Sequence, residues 1–117
     1  MKQPWWWPWR RVPEMTPEAL HAALQTGQPL QLVDVRTRAE HARGHIPGAR
    51  PSPIHAFRQA WPALALDPAR PVILICLSAH RSVPATRLLL ARGFDARQLA
   101  GGMLAWKGQG LPTETGP

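Results

Sequence analysis

An α/β fold, with a central mostly parallel sheet flanked by helices on both sides, is predicted by three features of these 117 residues. Helix-patterned and strand-patterned segments alternate along the chain, which is the signature of parallel strands joined by crossover helices. One strand candidate, PVILIC at 71–76, is a continuous aliphatic run of the kind that is buried on both faces. Glycine and proline stand between the segments or at their first residues, as Pro71 does, so each element has a local reason to start or stop.

In chain order, MTPEALHAALQTG opens with Thr16 as N-cap and Pro17 at the first helical position, and spaces Leu20, Ala23 and Leu24 along one face before Gly27. LQLVDV, residues 30–35, has the length and apolar content of a buried strand that ends near Asp34. TRAEHARG is a short helix stopped by Gly44, and HIPGARPSP, with three prolines and a glycine, is turn and loop. IHAFRQAWPALAL is a further apolar-patterned helix broken by Pro62. After the 71–76 strand, Ser82 is placed to N-cap VPATRLLLARG, with Pro84 in the first turn, Leu88 and Leu89 inward and Gly93 as the stop. A short strand near Arg97–Ala100 and a helical turn from Met103 to Trp106 complete the order.

Residues 1–14 differ from the rest. Four of the six tryptophans lie there with interrupting prolines and basic residues, so the segment reads as an extended arm, 1–14, before a domain at 15–113 and a short tail at 114–117. Tryptophan beside arginine suits a protein groove or a membrane surface, and equally an arm folded back on its own domain. The chain has no run of about 20 apolar residues and no secretory pattern, so a cytoplasmic protein is expected.

Fourteen Lys and Arg against seven Asp and Glu give a formal charge of +7. The arginines are scattered singly instead of forming a dense stripe with interleaved aromatics, which argues against nucleic acid and for a small anionic partner. A single cysteine, Cys76, excludes an internal disulfide, and no Cys/His spacing suits zinc, so neither metal nor cofactor is expected. His21, His41 and His55 read as surface or half-buried residues.

Cys76 stands at the carboxyl end of the clearest strand, where open α/β sheets bind ligands, and a short loop runs from it into a helix N-terminus. Loop amides, the unpaired first-turn N–H groups and Arg81 together make a setting that favours the thiolate and a bound anion.

These residues resemble the rhodanese-like sulfurtransferases from Met15 to Pro112. LVDVR at 32–36 with AEHARGHIPGA at 39–49 is similar to one family signature, GGMLAW at 101–106 with GLP at 110–112 to a second, and CLSAHRS to the active loop. The resemblance implies a sulfurtransferase in which Cys76 takes sulfur from a donor such as thiosulfate or a persulfide. The sulfur is held as a persulfide and passes to cyanide or a thiol. It implies a substrate loop of Leu77, Ser78, Ala79, His80, Arg81 and Ser82, with Asp34 and Arg36 supporting it or forming a structural ion pair. Arg81 follows Cys76 by five positions, the shorter loop of sulfurtransferases rather than that of related phosphatases. Ala79 stands where glycine is frequent, Leu77 where a charged or aromatic residue is common, and His80 where asparagine is common; a positive φ at Ala79 would strain the loop. His45 is expected to hold its turn by a hydrogen bond. The alternative to an enzyme is an interaction or sulfur-relay module localised by the arm.

Overall fold

The computed structural model describes residues 12–117, so most of the tryptophan-rich arm lies outside the described residues. Five parallel strands form one sheet in the order β1-β5-β4-β2-β3: β1 is Glu14–Met15, β2 Gln31–Asp34, β3 Arg50–Pro51, β4 Val72–Ile75 and β5 Ala96–Leu99. The longer helices are α1 (Pro17–Gln25), α2 (Arg38–Arg43), α4 (Ser82–Ala91) and α5 (Gly102–Gly108); α3 is the single turn Phe57–Ala60 between two 3₁₀ turns.

Local chemistry sets most boundaries. Thr16 caps α1 by accepting from the Ala19 N–H, and Thr37 and Glu40 form a reciprocal capping box on α2, which ends at Gly44. All four residues of β4 are buried, and their alternation feeds two cores. Ile73 and Ile75 join Leu20, Met103 and Trp106 on one face, while Val72, Leu74 and Cys76 join Phe57, Ala85 and Leu89 on the other. Each such fully buried aliphatic contributes about 1.5–3 kcal/mol, so the central strand anchors both layers. Among the described residues no helix is long and apolar enough to cross a membrane.

The structure departs from the sequence reading in four places. The 45–53 loop contains the edge strand β3, which tolerates Pro51 because an edge position leaves one side of the strand without a ladder partner. Residues 54–64 are two 3₁₀ turns around α3 rather than one broken helix. Ser82 is the first residue of α4, not its cap; Arg81 holds that position and makes no side-chain cap. His41 is 1% exposed, not superficial, because Asp34 gives its ring a buried partner. At the domain margins, Glu14 belongs to β1, and Glu114 of the tail forms an antiparallel bridge with His45.

Candidate active site

Cys76 follows β4 directly and is 1% exposed, with its Sγ 3.3 Å from the Ser82 hydroxyl at the start of α4. Two bonds from α5 fix it from below. Its carbonyl accepts from Met103 N–H (2.8 Å), and that of Leu77 accepts from Leu104 N–H (3.0 Å), so the first turn of α5 is stapled to the loop. Gly102 permits this approach: a Cβ there would stand 2.4 Å from the Cys76 carbonyl oxygen, and its φ is +58°.

Among the described residues, the backbone N–H groups of Leu77, Ser78, Ala79, His80 and Arg81 have no hydrogen-bond acceptor. Five consecutive unpaired donors beside a cysteine are what an anion needs, because each would otherwise depend on water. Ala79 bends the loop at φ 68°, a left-handed conformation that costs a residue with a Cβ about 1–2 kcal/mol. Leu77 is 38% exposed, and the Ser78 hydroxyl bonds the exposed His80 Nδ1 at 2.9 Å.

Arg81 has a partner that the loop sequence does not show. Its guanidinium grips Glu40 through two bonds of 2.8 and 2.9 Å, tying the loop to α2. These bonds hold the Glu40 carboxyl at about 2, below its usual 4.5, against an opposing effect of burial and with smaller help from Thr37. The same bonds, ahead of weaker attraction from Cys76 and Asp34, raise Arg81. A carboxylate lowered by folding stabilises the fold fully above about 4.5, and that stabilisation is lost as pH falls toward about 2. Glu40→Gln, which preserves the helix cap, is therefore expected to cost about 1 kcal/mol or less at neutral pH, since both side chains are partly solvated. The difference from wild type, followed by chemical denaturation, should vanish on acidification across that window.

Asp34 and Arg36 form a buried pair, 1% and 3% exposed. Arg36 donates twice from Nε and once from Nη2 to the carboxylate, and Nη2 also reaches the Gly44 carbonyl at 2.7 Å. His41 Nδ1 lies 2.8 Å from the same carboxylate, and its ring stacks on His45 at 3.7 Å. Among the described residues His41 Nε2 is buried without a partner, which suits the tautomer carrying its proton on Nδ1. His45 holds its turn as anticipated, with Nδ1 donating to the His41 carbonyl at 2.8 Å. The side-chain bonds of Asp34 and Arg36 thus end on each other and on the α2 side, at Gly44 and His41, and do not touch residues 77–82.

Three residues of the site were not singled out by sequence. Glu40 and Gln98 reach it through pairing across 41 and 16 positions, which no local spacing displays. Gly102 was visible only as part of the GGMLAW motif.

The fold is thus a parallel α/β sheet that carries a cysteine at the carboxyl end of its central strand, beside a loop of unpaired amides. Residues 16–109 match the Rhodanese-like domain family, and the chain belongs to that family. It is 36% identical over 102 residues to a sulfurtransferase of Allochromatium vinosum, covering 86% of this chain and 94% of that protein. With the thiosulfate sulfurtransferase GlpE of Stutzerimonas stutzeri it shares 33% over 99 residues, 84% of each. The solved rhodanese-like domain protein of Staphylococcus aureus superposes with a TM-score of 0.79 at 30% identity, covering 91% of this chain and all of that one.

Proposed function

We propose that this chain is a sulfurtransferase that carries sulfane sulfur on Cys76. The observation that carries the reading is the row of five unpaired amides from Leu77 to Arg81, in line with the only nucleophilic thiol of the chain. The similarity to proteins named as sulfurtransferases supports the same reading.

With thiosulfate as donor, the Cys76 sulfur forms a bond to the outer sulfur as the bond between the donor's two sulfurs breaks, and sulfite leaves with the electron pair. The thiol proton is lost to solvent. No net oxidant is required, because the transferred sulfur keeps its oxidation state while its partner changes. The loop amides bind the donor and then the anionic terminal sulfur of the persulfide. A thiolate or cyanide acceptor attacks that terminal sulfur and Cys76 leaves as thiolate, closing a two-step cycle. With no second cysteine in the chain, the acceptor comes from outside it. Glu40 and Arg81 hold the loop in place, and Asp34 with Arg36 supports the neighbouring strand end.

Incubation with thiosulfate or glutathione persulfide, followed by intact mass spectrometry, is expected to show a gain of one sulfur atom in wild type and none in Cys76→Ser. Exposure to cyanide or thiol should then remove it. No gain from either donor by a folded wild-type chain would refute the reading, and the interaction-module alternative would stand.

A further inference from the structure

We infer that the groove between α3 and α4 is a docking site for an acidic amphipathic helix of a partner protein. The groove is a recess of about 430 Å³ whose walls come from α4 and from α3 with the turn before it. Phe57 and Ala85 are buried in it, Ile54 and Leu88 are half-buried beside them, and Arg58, Arg87 and Arg92 are exposed around it.

The charge of this surface is one-sided. None of the chain's seven acidic residues lines the groove, and four of them are engaged elsewhere: Asp34 with Arg36, Glu40 with Arg81, Asp95 with Arg97 and Glu114 with His45. Among the described residues, no carboxylate pairs with Arg58 or Arg92. Arg92 is instead held over the Trp61 ring at 5.7 Å, and Trp61 stands edge-on to Phe94. An apolar recess with a fringe of arginine selects an occupant that is apolar along its middle and acidic at its flanks.

Shape decides which occupant that is. Pro84, Leu88 and Ala91 lie at i, i+4 and i+7 on α4, so they offer one stripe of about two turns, about 10 Å long. That length suits the anchor residues of a helix laid along it. A bilayer surface is flat and takes up protruding apolar side chains, whereas Phe57 and Ala85 are recessed. The chain's own residues 1–11 include Lys2, Arg10 and Arg11 and no acid, so they have the wrong charge to complement the arginines. The groove begins two residues past Ser82, whose hydroxyl meets Cys76 Sγ, so a docked partner is held beside the reacting loop. No lining residue belongs to that loop, and the inference does not depend on sulfur transfer.

The test titrates the full chain, followed by the NMR shifts of its backbone amides, with a blocked helical peptide of about 14 residues that carries leucine on one stripe and glutamate and alanine elsewhere. The amides of Arg58, Leu88 and Ala91 are expected to shift. Those of Leu24 and Gln25, which line a cleft without lysine or arginine on the other face of the sheet, should stay in place. Replacing the peptide's glutamates by lysine, or its leucines by serine, should weaken binding about tenfold or more. Arg58→Gln/Arg92→Gln should do the same, with thermal unfolding confirming that the variant folds; the peptide series decides the matter if it does not. A parent peptide that leaves the groove amides unmoved, a lysine or serine peptide that binds as tightly, or shifts that map to the Leu24 cleft each overturn the inference. So do groove shifts caused by phosphatidylglycerol vesicles and not by the peptide, which assign the surface to a membrane. No sulfur donor enters the titration, so its result stands apart from that of sulfur uptake.

Discussion

Asp34→Ala is expected to destabilise the domain by about 3–5 kcal/mol while leaving sulfur uptake by the folded fraction close to wild type. The carboxylate accepts from Arg36 Nε, Arg36 Nη2, the Arg36 backbone N–H and His41 Nδ1, and every partner side chain is buried. Removing it leaves a guanidinium in the interior with only the Gly44 carbonyl to neutralise its donors, and a histidine with neither ring nitrogen bonded. A loss of that size is a large fraction of the roughly 5–15 kcal/mol that holds a domain together. Two comparisons separate the charge from the packing. Asp34→Asn retains the shape and should still lose most of the stability, since its amide nitrogen faces donors. In Asp34→Leu/Arg36→Met both charges are gone, and part of the loss should return. The functional half follows from where the bonds end: on Gly44 and His41, not on the Cys76 loop. Urea unfolding together with sulfur uptake well below the transition tests both halves. An Asp34→Ala chain of wild-type stability, or one that folds fully yet takes no sulfur, contradicts this account and returns the pair to direct support of the loop.

What the sequence made legible follows from whether the determinant was local. The β4 strand, the Thr16 cap and the Gly44 and Gly93 stops all rest on neighbours within a few residues, and each has its expected conformation, whereas the positive φ of Ala79 was suggested only by the family resemblance. Arg81 is the opposite case. Its position in the loop was plain, but its partner Glu40 lies 41 residues away, so the loop sequence alone does not show that the guanidinium is tied to α2. His41 shows the same limit, for a histidine in a polar helix reads as exposed until the fold brings Asp34 against it. Ser82 was found and its task misjudged. Serine before an apolar helical run signals a cap, yet Ser82 lies inside the first turn and its hydroxyl donates to Gln98 of β5 instead of accepting from a first-turn N–H. The β3 strand was hidden because two residues, one of them proline, carry no alternation to detect.

The second large effect is expected at Gly102. In Gly102→Ala the added Cβ would lie 2.4 Å from the Cys76 carbonyl oxygen, 2.5 Å from that of Leu77 and 2.6 Å from the Leu77 carbonyl carbon. All three are backbone atoms, so no side chain can swing aside. Relief requires α5 to withdraw from the loop, and withdrawal breaks the bonds from Met103 and Leu104 N–H that seat Cys76 and Leu77. Two lost hydrogen bonds and an alanine forced to φ +58° together amount to about 3 kcal/mol or more. Unlike Asp34→Ala, this substitution moves the reacting residue itself, so sulfur uptake should fall about tenfold or more even where the chain is fully folded. Gly101→Ala supplies the contrast. Its φ is +71° and its Cβ would meet the Ala105 side chain at 2.6 Å, so a comparable loss of stability is expected, but neither loop carbonyl is touched. The two neighbours should therefore separate: both lower the unfolding midpoint, and only Gly102→Ala slows persulfide formation per folded molecule. Equal uptake by the two variants would mean that the seat under Cys76 is not what the close approach of α5 provides.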